Sequence, residues 1–219
     1  DPDGQVVLEA ARAINDLPIP DALPQLAMLL AKPLPENAVK AEKPPYTVRG
    51  PRPIGTPADW ILWRAVNASF RLGTADAARA LASFAAKSDA PSAVRIEALN
   101  DLAEWAKPNN LDHITTLYRP LVPRDPKPAR DAAAGIAKSI TEDAPNNVKT
   151  AAANLMRTYG LGDSETLIGA LTDRRASPEV RVVALNSLAD RKDERLGGAL
   201  QLGLKDRDLA GLNRLCFVA

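Results

Sequence analysis

Ser177-Pro-Glu-Val-Arg-Val-Val-Ala-Leu-Asn-Ser-Leu188 decides the fold, because its apolar spacing recurs along the chain. Val180, Ala184, Leu185 and Leu188 stand at i, i+4, i+5 and i+8, and so do Val94, Ala98, Leu99 and Leu102. Val6, Ala10, Ala11 and Ile14 repeat the pattern, as do Val148, Ala152, Ala153 and Met156. Residues at this spacing share one stripe of an α-helix, and small residues in the middle of the stripe let a neighbouring helix approach closely. Recurring copies that each bury one face against the next are the signature of a stacked helical repeat. The chain therefore reads as all-α: an α-solenoid of antiparallel helix pairs in a right-handed superhelical stack, one repeat domain over residues 1–219.

Start and stop signals agree with this. Asp1-Pro2, Thr56-Pro57, Asp125-Pro126 and Ser177-Pro178 each place a capping side chain before a proline at the first helical position, where the missing N–H costs nothing. Asp59 follows Thr56 by three and puts a carboxylate at the positive end of the helix dipole. Gly73, Gly160 and Gly162 stand where helices should stop, since glycine accepts the left-handed cap conformation. Helix pairs follow at residues 3–15 with 21–30, 59–72 with 74–86, and 92–106 with 111–121. Further helices are expected at 128–140, 147–159, 164–171, 179–189 and 194–204, with a degenerate one at 208–219.

Leu62 lies 32 positions before Val94, and Val148 lies 32 before Val180, but 54 positions separate Val94 from Val148. That interval is too long for one repeat and too short for two, so an irregular repeat is expected at about 125–160. A second interruption covers 32–57, where Pro33, Pro35, Pro44, Pro45, Pro51, Pro53 and Pro57 disfavour helix and favour extended backbone. Long insertions of this kind are functional or mobile. Tyr46, Arg49 and Arg52 lie among the prolines, and Tyr and Arg are residues common in interface hot spots, so they are tentative partner contacts.

Composition narrows the function classes. The 28 basic and 27 acidic residues leave a net charge of +1, without the cationic excess of a dedicated nucleic-acid surface. One cysteine, Cys216, excludes an internal disulfide and any cysteine-rich metal cluster, and one histidine, His113, excludes a multi-histidine metal centre. No apolar run approaches the roughly 20 residues of a membrane-spanning helix. The chain has neither an initiator Met nor a signal-peptide pattern, and is expected to be a piece of a longer protein.

The Pro-Glu-Val-Arg-x-x-Ala-Leu pattern of residues 178–185 resembles HEAT repeats, in particular the short type named after the phycobilisome lyases. Such repeats serve scaffolds, adaptors, lyases and DNA glycosylases alike, so the resemblance implies fold more than activity. Leu8-Glu-Ala-Ala-Arg-Ala-Ile-Asn-Asp-Leu-Pro-Ile-Pro20, Asn67-Ala-Ser-Phe-Arg-Leu-Gly73 and Arg95-Ile-Glu-Ala-Leu99, with Trp105 and Pro108, are similar to the HEAT region of large exported planctomycete and verrucomicrobial proteins. There a sugar-dehydrogenase-like propeller precedes the repeats and a c-type cytochrome domain often follows. The similarity implies a periplasmic or exported spacer between redox modules. With no Cys-x-x-Cys-His, this chain carries no haem of its own.

Candidate chemistry is sparse. Trp60 and Trp63 lie three apart, on nearly one helical face, with Arg64 adjacent; they could stack a base, a sugar or a partner side chain, or fill the junction beside the insertion. His113 is expected in the first turn of a helix opened by Asn110 or Asp112, where burial and the dipole would disfavour its protonated form. Cys216 reads as a small hydrophobe in a terminal helix. Arg95, Lys149 and Arg181 occupy one place in matching helices, either as a ladder of ion pairs with acids such as Asp101, Glu104, Glu179 and Asp190 or as a basic stripe; the nearby acids favour the ladder. Asp16, Asp101 and Asp190 read as loop-side caps. No catalytic, cofactor or metal residue is assigned. The expected function is a non-enzymatic helical-repeat scaffold or protein-interaction and spacer module that binds a protein partner or flanking domains of the same chain. The alternative is a ligand-binding or enzymatic domain contacting nucleic acid or glycan near Trp60 and Trp63.

Overall fold

The computed structural model of the chain describes residues 1–17, 19–39, 55–136, 140 and 144–205, with side chains described as far as Gln201. Among these residues the fold is all-α, with no strand and a single antiparallel bridge between Leu111 and Tyr118. The chain divides into two compact units, 1–132 and 133–219, a boundary that falls inside the irregular segment the spacing marked.

In the first unit the helices are α1 (Gly4–Asp16), α2 (Leu23–Ala27), α3 (Glu36–Val39), α4 (Pro57–Leu72), α5 (Ala75–Ala86) and α6 (Ser92–Ala103), and α7 (Lys127–Ile136) contains the boundary. Short 3-10 turns, Pro20–Ala22 and Met28–Leu30, flank α2. Helix α4 is central and packs against α1, α2, α5 and α6. It starts with a full capping box, in which Thr56 Oγ1 accepts from the Asp59 N–H while Asp59 Oδ2 accepts from the Thr56 N–H, and it ends at Gly73 with φ 65°. Ile61, Val66, Phe70, Leu81, Leu99, Leu102 and Trp105 are fully enclosed. Each such large side chain contributes about 1.5–3 kcal/mol by leaving water.

The stripe read from α6 is buried throughout: Val94, Ala98, Leu99 and Leu102. That of α1 is not. Gly4, Leu8, Ala11 and Asn15 are buried there, while Val6 is half exposed, so the apolar spacing picked the wrong face. The cause is the 32–57 insertion, expected to hold no helix. Its described part forms α3, and a Cβ placed on Gly4 would lie 2.7 Å from the Ala38 backbone nitrogen. Asn37 Oδ1 accepts the Gly4 N–H at 2.8 Å, which fixes the face α1 turns inward. Asp3, rather than Asp1, caps α1.

No helix forms over 111–121. The chain from 104 to 126 is an irregular excursion closed by the Leu111–Tyr118 bridge. Asp112 directs it: Oδ1 accepts from the Ile114 and Thr115 N–H groups at 3.0 and 2.9 Å, a local turn that competes with helix, and Thr116 takes φ 59°.

The second unit holds α8 (Asn146–Thr158), α9 (Ser164–Thr172), α10 (Pro178–Asp190) and α11 (Leu196–Lys205). Its core gathers Leu171, Ala184, Leu185, Leu188 and Ala199 around α10. On α8 the buried residues are Val148, Ala151 and Leu155, whereas Ala152, Ala153 and Met156 of the expected stripe are only partly covered. Those three line an apolar hollow of about 430 Å³ beside α10. Residues 208–219, including Cys216, lie outside the described residues.

Helix pairs α5–α6 and α9–α10 are built alike. Each first helix ends in an extended residue, Lys87 or Asp173, and each second helix follows a short turn, 87–91 or 173–177. Arg95 Nε donates to the Ala85 carbonyl and Arg181 Nε to the Leu171 carbonyl, both at 2.8 Å and both buried. The expected reading of these two arginines as rungs of an ion-pair ladder missed this contact. Each closes the end of the preceding helix, where carbonyls lack intrahelical partners.

Candidate functional site

Trp60 and Trp63 project from one face of α4, as their spacing requires, and both are half-buried. With Gly55, Asp59 and residues 91–94 they line a small cleft of about 230 Å³. Trp60 also packs against the cluster of Leu8, Ala38, Ala58 and Ile61. The Asp59 carboxylate at the cleft is committed to the capping box. Arg64 does not join them. It is buried and grips Asp16 through two hydrogen bonds, Nε–Oδ1 at 3.2 Å and Nη2–Oδ2 at 2.8 Å. Tyr46, Arg49 and Arg52 lie outside the described residues.

A polar framework holds the 104–126 excursion against the helices. Asp112 is buried and accepts from Asn67 Nδ2 at 3.1 Å, with Arg71 and Arg119 guanidinium nitrogens at 3.5 and 3.7 Å. Burial pushes its carboxyl up, but the hydrogen bonds from Thr115, Asn67 and Ile114 outweigh this and leave it below the usual carboxylate range. Asn67 Nδ2 also donates to Asn15 Oδ1 at 2.8 Å, and Arg119 donates to the Asn15 and Asp16 carbonyls at the end of α1. Arg124 donates to the Trp105 carbonyl at 2.9 Å and the Phe70 carbonyl at 2.7 Å, and its guanidinium lies 4.0 Å from the Trp105 ring centroid and 4.7 Å from that of Phe70. Above this base, Leu111, Leu117, Tyr118 and Val122 are exposed by 47%, 55%, 72% and 80%.

The excursion also delivers His113 to α6. Nδ1 lies 2.9 Å from Asp101 Oδ1 and 3.1 Å from Glu97 Oε1, while Nε2 lies 3.7 Å from Glu104 Oε2. The ring stacks on Phe70 with centroids 5.3 Å apart. Asp101 is fully buried. Both earlier readings are overturned here: Asp101 is no loop cap, and His113 is in no helix. The Asp101 carboxylate, then that of Glu97, holds the imidazolium proton against the opposing effect of burial and pushes the His113 pKa up to about 10. Burial pushes the Asp101 carboxyl up to about 7 against the pull of the imidazole. Glu97, Asp101 and Glu104 share one face of α6 at i, i+4 and i+7, a pattern present in the sequence. Which group would face them depends on how the excursion folds back.

Stability should follow that titration. His113 binds its proton more tightly in the folded chain, so its contribution is complete below pH 6.5 and is lost as pH rises through about 10. Asp101 is also raised, so its share is complete below pH 3.8 and lost as pH rises through about 7. In metal-free buffer the Tm is expected to fall between pH 6.5 and 10, and the double variant His113→Gln, Asp101→Asn should flatten that decline. An unchanged slope in the variant would assign it to other groups.

Asp16 pairs with Arg64, and Asp190 Oδ2 accepts from Arg157 Nε at 2.6 Å. Lys149 lines the hollow of the second unit. Among the described residues no helix is long and apolar enough to cross a membrane. No protein-family model, curated protein or solved structure matches the chain.

Proposed function

We propose that the chain is a non-enzymatic helical-repeat scaffold, a protein-interaction and spacer module within a larger exported polypeptide, its helix pairs stacked as in HEAT-like solenoids and its neighbours redox modules. The observation that carries this reading is the anchored excursion. Four large apolar side chains, Leu111, Leu117, Tyr118 and Val122, stand in solvent on a segment that Asp112, Arg119 and Arg124 tie to the helices beneath. Leu111 and Tyr118 face each other across the bridge. Apolar groups on a pre-ordered segment favour association, because water is released while little chain entropy remains to be lost. The partner is a protein surface, either another polypeptide or a flanking domain of the same one; the balanced charge offers little attraction to phosphate.

Hydrogen exchange of the natural full-length polypeptide against the isolated 219-residue chain tests this. Amides of 111–122 are expected to gain at least tenfold protection in the longer protein, and a Tyr118→Asp, Val122→Asp double variant should remove the gain. Equal exchange in both proteins would overturn the reading for flanking domains and leave no role for the exposed quartet within the polypeptide.

The competing reading, a nucleic-acid or glycan contact at Trp60 and Trp63, has two half-buried indoles at one cleft in its favour. That cleft is below the roughly 300–1,000 Å³ of ordinary ligand sites. Its one carboxylate is already engaged by Thr56.

A further inference from the structure

Glu97, Asp101 and His113 converge from two segments: the carboxylates from successive turns of α6, the imidazole from the excursion. We propose that these three side chains form a binding site for a divalent transition-metal ion, with zinc the occupant the donors fit best.

The spacing is that of ligands. One donor atom from each residue lies within 4.8 Å of the other two. The Nδ1 to carboxylate distances are 2.9 and 3.1 Å. Metal bonds to imidazole nitrogen and carboxylate oxygen of about 2.0–2.2 Å place neighbouring donors about 2.9–3.4 Å apart, so two edges of the polyhedron already have the required length.

Asp101 supplies the second observation. Its side chain is 0% exposed, Oδ2 has no hydrogen-bond partner, and Oδ1 meets only the imidazole, at 2.9 Å. A buried carboxylate with one oxygen left unpartnered is costly unless further positive charge meets it. The charges that act most on it are His113, Glu97 and Glu104, so three carboxylates share a single imidazole. A divalent ion brings the charge this arrangement lacks.

The ligands are held as a metal site requires. Glu97 and Asp101 are one helical turn apart on α6 and so lie on one face. His113 is stacked on Phe70, and the residue before it, Asp112, is locked by the Ile114 and Thr115 amides. The side chains of His113 and Glu97 keep 15% and 19% exposure, which leaves the ion a path from solvent. One imidazole nitrogen with carboxylate oxygens suits zinc, and manganese next, better than magnesium or calcium, which take all-oxygen shells.

Calorimetric titration of the chelator-stripped 219-residue chain tests the site, in a Cys216→Ser background that removes the chain's one thiol. Zinc chloride is expected to bind one per chain at micromolar concentration or tighter and to raise the Tm, with Mn2+ weaker and Mg2+ weakest. Glu97→Gln, a partly exposed change whose fold is checked by circular dichroism, should weaken zinc at least tenfold. Because His113 is the chain's one histidine, its ring resonances report the ligand directly and should shift on zinc addition. Absence of saturable binding at millimolar zinc, undiminished binding in Glu97→Gln, an unmoved His113 resonance, or Mg2+ binding tighter than zinc would each overturn the proposal.

Discussion

Replacing Asp112 by alanine is expected to lower the stability of the first unit by about 3–5 kcal/mol, the scale of removing one partner from a buried charge cluster. The carboxylate is the common acceptor for the Ile114 and Thr115 amides, the Thr115 hydroxyl and Asn67, and it faces the guanidinium groups of Arg71 and Arg119. Without it those donors are left in a protein interior and two cations confront each other unscreened. Asp112→Asn keeps the shape and some acceptor capacity but loses the charge, so it should cost less than alanine. Urea denaturation of the three proteins measures this order. A loss below about 1 kcal/mol for the alanine variant would mean that water replaces the carboxylate, and that the excursion is not anchored as described.

Arg95→Met and Arg181→Met should each cost about 1.5–3 kcal/mol, the range for hydrogen bonds formed by charged donors. Methionine keeps much of the aliphatic packing and removes the guanidinium, so the measured loss includes the bond to the Ala85 or Leu171 carbonyl. Lysine cannot substitute, because its point charge lacks the planar Nε–H directed along the side chain. The two arginines lie in different compact units, so the losses in the double variant should add. Strong non-additivity would show that the two sites are energetically coupled.

Local rules were legible where the chain itself contains both halves of an interaction. Thr56 with Asp59, Ser177 at the start of α10, and Gly73, Gly160 and Gly162 at positive φ behave as their residue types demand. The stripe of α6 reads correctly because that helix is covered by its sequence neighbours α5 and α4. Failures begin where a distant segment decides. The face of α1 is set by Ala38 and Asn37, more than thirty residues away. The excursion covers the helix expected at 111–121, but the side chains of Asn109, Asp112 and Thr115 supply local acceptors that tip it out of helix. His113 followed that error: placed at a helix start its proton would be repelled, whereas beside α6 it is held by carboxylates. The acids of α6 were visible as a face, and only their counterpart was not.

The arginine closing each helix–turn–helix segment has one further consequence. Donor and acceptor are ten residues apart, 85 with 95 and 171 with 181, so each segment carries both halves of this fastener. A gene duplication that copies such a segment whole also copies the bond that closes it, and a deletion that removes it whole leaves neither donor nor acceptor of that bond behind.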